Sequence, residues 1–228
     1  KKLYKVSPLG VVGMFLLGGV FSAQFGMAAV YGGKAGLSIA QISLFVSAFY
    51  VGALIMQYPL GYISDRMDRR FLILLTAALG GVASIVAVIW GEDIIILLAA
   101  AFVIGGTSNP LYSLFLAYTN DFLEHEDMAA ASGGMVFING LGAISGPIVT
   151  GWLMTSIGPA AFFGLIAALM LAISVYAAFR MTQRAAPSVD ETAGFQAIMP
   201  SSSPVFVEVA QEIAIENAIE EQMEEISP

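Results

Sequence analysis

Residues 61–70 read Gly61-Tyr62-Ile63-Ser64-Asp65-Arg66-Met67-Asp68-Arg69-Arg70, five charges in ten positions, and long apolar runs flank them on both sides. Ionised side chains are costly inside a bilayer, so a dense cluster of both signs between two greasy segments marks a turn at the membrane surface. The flanking runs are then the two arms of a membrane hairpin. That reading sets the fold class, and the rest of the chain extends it.

Of 228 residues, 58% are hydrophobic and 11% charged. Soluble domains average about 25% charged residues, so an ordinary globular fold is excluded. The absence of cysteine removes disulfides, thiolate chemistry and cysteine-held metals, and the lone His125 cannot build a zinc site or a histidine relay. No metal or cofactor is expected. The net charge of −8 is unevenly spread. Residues 181–228 carry Asp190, Glu191, Glu208, Glu212, Glu216, Glu220, Glu221, Glu224 and Glu225 against Arg184, whereas residues 1–180 are neutral. Nothing here points to nucleic acid. The Ser-, Ala- and Pro-rich start of the tail reads as disordered. Beyond Ser203-Pro204 a glutamate recurs every fourth position, where like charges oppose helix formation. A solvated acidic tail is the expectation for 181–228, with a partner-docking helix as the alternative.

A membrane-crossing helix needs about 20 mainly apolar residues. Six segments qualify, at about 8–31, 38–64, 71–90, 94–119, 128–155 and 159–179. Ser38-Ile39-Ala40-Gln41 reads as a capping box opening the second span. Lys1, Lys2, Lys5, Arg66, Arg69, Arg70, Arg180 and Arg184 fall on one side of this alternation and only Lys34 on the other. By the excess of basic residues in inward loops, both ends and the 65–70 and 120–127 loops are expected to be cytoplasmic. The chain starts at Lys1 rather than Met, so an excerpt of a longer protein is also expected.

The spacing of Gly61, Asp65, Arg66, Arg69 and Arg70 resembles the G-x-x-x-D-R-x-x-R-R motif of the major facilitator superfamily, found between the second and third helices of each six-helix half. Asp68 stands where that family usually has Gly, so a less tight turn is expected. Leu111-Tyr112-Ser113 with Asn120-Asp121, and Gly140-x-Gly142-Ala143-x-x-Gly146-Pro147, are similar to a bacterial branch labelled YcaD-like. The resemblance covers about residues 3–180. It implies an all-α membrane protein whose six transmembrane helices form two inverted three-helix repeats. It further implies a secondary transporter of a small solute in the bacterial inner membrane, with the amino-terminal six-helix half as missing partner. It makes Gly61, Asp65, Arg66, Arg69, Arg70 and Asp121 gating candidates, with Arg69 expected to bridge Asp65 and Asp121. As exposed ion pairs these would be worth about 0–1 kcal/mol.

Polar residues within the spans supply candidates for a solute path. Ser43, Ser47, Tyr50 and Gln57 share one helix face. Amides are expensive in hydrocarbon, so Gln24, Asn109 and Asn139 should face protein or water. With Ser47, Tyr50 and Tyr112 they make six cavity candidates. The third and sixth spans are almost wholly apolar and suit a lipid-facing position. Pro110 interrupts a hydrogen-bond ladder, and Gly142, Gly146 and Pro147 read either as close packing or as a bend. No charged residue lies deep in a span, which disfavours a proton relay within these six helices. There is no HExxH, no Walker loop and no paired intramembrane aspartates, so an enzyme is not expected. The competing reading is a self-contained six-span protein that dimerises as a channel or scaffold.

Overall fold

The computed structural model describes residues 2–123 and 125–183, without the side chains of Lys2, His125 and Glu126. The acidic segment from Arg184 onward lies outside the described residues. Those residues fold into helices α1 (Lys2–Val6), α2 (Pro8–Gly26), α3 (Ala28–Lys34), α4 (Ile39–Ser64), α5 (Arg69–Trp90), α6 (Ile94–Asn120), α7 (His125–Ser156) and α8 (Ala161–Met181). Six of them, all but α1 and α3, are long and apolar enough to cross a membrane.

Local chemistry explains where they begin. Ser7 caps α2, accepting from Gly10 N, with Pro8 at the first helical position where a missing N–H costs nothing. The capping box at Ser38 is present: Gln41 N donates to Ser38 Oγ at 3.3 Å and Ser38 N donates to Gln41 Oε1 at 2.9 Å. Asp93 caps α6 by accepting from Ile95 N. The first span differs from the single helix expected over 8–31. It is two pieces joined at Met27, whose backbone (φ −121°, ψ −1°) leaves helical geometry for one residue. Neither Pro110 nor Pro147 ends its helix; α6 and α7 run through them, as α4 runs through Pro59.

The six long helices form two triplets, α2–α4–α5 and α6–α7–α8. Exchanging the triplets maps the packing onto itself: α4 against α6 becomes α7 against α2, and α5 against α6 becomes α8 against α2. Equivalent helices are three crossings apart and so run in opposite directions, which makes the repeat inverted. The correspondence holds residue by residue at the closest approaches. A Cβ on Gly52 would stand 1.9 Å from Phe102 O, and one on Gly142 would stand 1.9 Å from Phe15 O. A Cβ on Gly105 would lie 2.0 Å from Phe49 O, and one on Gly18 would lie 2.1 Å from Asn139 O. Only glycine lets these backbones meet.

Helices α2 and α6 are the most enclosed, whereas α4 and α7 leave most of their surface open. On α5 the exposed residues Phe71, Leu75, Leu79, Val82, Ile85 and Ile89 recur every three to four positions, an apolar stripe suited to lipid. Its other face buries Leu72, Ile73, Thr76, Ala77 and Gly80. At the Lys34 end an aromatic cluster closes the bundle. Tyr31 of α3 stacks on Phe162 and meets Phe163 edge-on, both with ring centroids 5.0 Å apart, and Phe45 and Phe49 of α4 pack beside them.

Candidate functional site

At the opposite end, residues 65–68 turn the chain from α4 into α5, and the side chains of the motif divide into separate tasks. Asp68 is the N-cap of α5. Its Oδ1 accepts from Arg70 N at 2.9 Å and from Arg70 Nε at 3.1 Å, and Oδ2 accepts from Arg70 Nη2 at 2.8 Å. Burial alone would raise the Asp68 pKa, but the hydrogen bonds and charge of Arg70 outweigh it and hold the carboxyl below its usual value. The backbone at Asp68 has φ −56°. The turn therefore needs no glycine there, and the departure from the family motif is a capping device. Arg66 points away, its guanidinium 3.6 Å from the centre of the Tyr62 ring and its Nη1 donating to Tyr62 O.

Arg69 turns inward. It donates from Nη1 to Asp121 Oδ1 at the end of α6 and from Nε to Ser64 Oγ at 3.2 Å. Its Nη2 lies 3.5 Å from Asp65 Oδ1. A cation at the first position of α5 and an anion at the end of α6 each oppose their own helix dipole. Paired, they offset each other. The side chains of Arg69 and Asp121 are 3% and 2% exposed, whereas Asp65 is 38% exposed. The expectation of a purely exposed cluster is thus corrected: α4, α5 and α6 converge over Arg69 and exclude water from it. Gly61 lies one turn before Asp65, whose N–H donates to Gly61 O. Along the open side of α4, an apolar groove of about 400 Å³ runs past Leu54, Tyr58, Gly61 and Tyr62 to Asp65.

The six cavity candidates are not brought together. Gln24, Asn109 and Tyr112 are buried within the bundle. Gln24 Oε1 accepts from Ser108 Oγ at 2.8 Å, and Asn109 Nδ2 donates to Gly105 O in its own helix. Asn139 is half-buried and donates to Met14 O. Only Ser47 and Tyr50 are open, with the Tyr50 ring centroid 5.1 Å from that of Phe25. Gln57, on the same helix, donates to Ser113 Oγ at 3.3 Å and so fastens α4 to α6. Helix period assigned these residues to faces but said nothing of what covers them. The pairing of Asp68 with Arg70 was missed, although an Asp just before a helix start is a readable cap signal. No group of three or more metal-ligating side chains occurs among the described residues.

The sequence profile of the Major Facilitator Superfamily matches residues 10–215. The chain belongs to this superfamily. It is 29% identical over 140 residues to the uncharacterised MFS-type transporter YfkF of Bacillus subtilis, covering 60% of this chain and 35% of YfkF. To the uncharacterised MFS-type transporter YcaD of Escherichia coli it is 24% identical over 162 residues, covering 70% of this chain and 41% of YcaD. Among solved structures, the superfamily fold recurs in the POT family transporter PepTSo. The TM-score is 0.67 and the identity 14%, over 87% of this chain and 39% of that one. The superfamily chain described here therefore spans well under half the length of these relatives.

Proposed function

We propose that the chain is the carboxy-terminal six-helix half of a secondary transporter that moves a small solute across the bacterial cytoplasmic membrane by alternating access. The observation that carries this is that the repeat-related pairs are covered unequally, α4 and α7 being far more open than α2 and α6 or α5 and α8. Helices α5 and α8 pack on each other at one side of the bundle, and the outer stripe of α5 is apolar. Helices α4 and α7 lie open, and α4 presents Ser43, Ser47 and Tyr50. A second six-helix half set against α4 and α7 would enclose a path with polar side chains on its wall. The charged end, with Lys5, Arg66, Arg69, Arg70 and Arg180, faces the cytoplasm in this reading.

The Arg69 clamp supplies a conformational bias. A change of ~1.4 kcal/mol is tenfold in a two-state equilibrium, and a buried charge pair whose outer partner, Asp65, stays accessible is suited to deliver it. Single cysteines test the reading, in the full-length protein in membrane vesicles. Those at Ser47 and Tyr50 should react with water-soluble thiol reagents while those at Ile85 and Leu169 do not. A cysteine at Gly33 should label from outside. Equal reactivity at these four positions within the spans would assign the α4 face to lipid, or to a second copy of the chain in a self-contained assembly. Labelling of Gly33 only after permeabilisation would reverse the orientation.

A further inference from the structure

We propose that Ser7 and Thr119 are positioning residues that join α2, the helix at the centre of the bundle, to the Arg69 clamp. This rests on the transporter reading above. Ser7 Oγ and Thr119 Oγ1 are 3.1 Å apart and fully buried, although 112 residues separate them in sequence. Ser7 also caps α2 by accepting from Gly10 N. Thr119 sits in the last turn of α6, two residues before Asp121, which accepts from Arg69. A chain of contacts therefore runs from α2 through Ser7 to Thr119, and along the backbone of the last turn of α6, where Asp121 N donates to Thr119 O, to Asp121. It continues through Arg69 on α5 to Ser64 and Asp65 on α4. Four helix ends are tied by it.

Packing makes this link stiff. A Cβ on Gly10 would stand 2.2 Å from Thr119 Oγ1 and 2.7 Å from Ser7 Oγ, so α2 and α6 approach as closely as glycine permits. A buried hydroxyl that loses its partner has no water to replace it. Displacement of α6 at the clamp therefore either carries α2 along or breaks the Ser7–Thr119 bond. An arrangement with two discrete states is what conformational coupling requires.

The test uses Thr119→Val, which keeps the side-chain shape and removes the hydroxyl, and Thr119→Ser, which restores it. The sequence contains no cysteine, so single reporters need no background removed from this chain. In vesicles of the full-length protein, an impermeant maleimide reads the labelling rate of a cysteine at Ser47 relative to one at Gly33, where no atom crowds the site. We expect Asp65→Asn and Thr119→Val each to change this ratio at least threefold and in the same direction. Thr119→Ser should return it to the parent value, and the double variant should go no further than the larger single change. A change with Asp65→Asn but none with Thr119→Val, at normal expression, would overturn the link and leave the transporter reading standing. No change with either would overturn the clamp as a conformational bias and the link with it. Effects that simply add in the double variant would show two independent contacts and overturn the single chain.

Discussion

The crossing of α4 with α6 and that of α2 with α7 are the same backbone event built twice, yet they are fastened differently. Each is centred on glycines whose Cβ atoms would lie about 2 Å from a facing carbonyl. A shift of 90 residues carries Gly52 to Gly142, and one of 87 carries Gly18 to Gly105. The same shifts carry the Gln57–Ser113 hydrogen bond onto Pro147 and Gly26, where no side-chain donor exists. They carry Met56, which packs against Gly106, onto Gly146. A cavity of about 140 Å³ remains there between α2, α7 and α8. Further toward the Lys34 end of the same two helices, α2 breaks at Met27, and Gln24 Nε2 and Thr150 Oγ1 are buried without a partner among the described residues. The first crossing, by contrast, runs on into the Arg69 clamp. Side-chain fastening thus differs between the two crossings, which predicts a stiffer charged end than Lys34 end of α2, even though α2 and α7 stay close at Gly146, where a Cβ would stand 1.5 Å from Ser22 Oγ.

The largest effect that would sharpen this contrast is at Arg69. Arg69→Ala removes the guanidinium from the buried Asp121 carboxylate, and should cost about 3–5 kcal/mol in thermal unfolding of the purified protein. Asp65→Asn, at the exposed edge of the same clamp, should cost about 0–1 kcal/mol. Similar losses for the two variants would mean that the pair is not sheltered from water. Next in size are Gly52→Ala and Gly142→Ala, each expected to lose about 1–3 kcal/mol through forced separation of the backbones. The two should agree closely. Gly140, with no atom near its missing Cβ, is the control, and its change to Ala should not destabilise the protein. A loss at Gly52 without one at Gly142 would break the equivalence of the crossings.

Smaller effects probe the fastening itself. Gln57→Leu removes the α4–α6 hydrogen bond, for a loss near the ~0.6 kcal/mol average of such bonds in membrane proteins. Amide exchange should be faster around Met27 than around Gln57 in the parent protein, and Gln57→Leu should narrow the gap; equal rates in the parent would remove the stiffness contrast. The smallest effect belongs to Asp68. Its folded-state pKa is lowered, so its contribution is complete above the ordinary carboxylate value of 3.8 and is lost as pH falls through the folded value. Unfolding measured across that acidic range should show a small step that Asp68→Asn lacks.

Much of the architecture was legible because its causes are local. Apolar run length marks the six spans, Ser38 to Gln41 spell out a cap, and charge marks the hairpin turn. The break at Met27 had no such signal, since methionine is neither a helix breaker nor polar. The burial of Gln24, Asn109 and Tyr112 was hidden because helical period names a face without naming its neighbour. Burial of Arg69 was hidden for a related reason. A loop position implies water, and only the convergence of three helix ends removes it. The matching of Gly52 with Gly142 needed the packing, because the rest of each triplet differs in sequence.

Paired accessibility on α4 tests whether the clamp on one half sets which side of the proposed solute path is open. Ser47 and Tyr58 are both exposed on this helix, toward opposite ends. In vesicles of the full-length protein, single cysteines at the two positions would be labelled with a water-soluble maleimide, with and without Asp65→Asn. Reciprocal changes are expected, one position gaining reactivity as the other loses it. Reactivities that move together, or do not move, would contradict this role of the clamp.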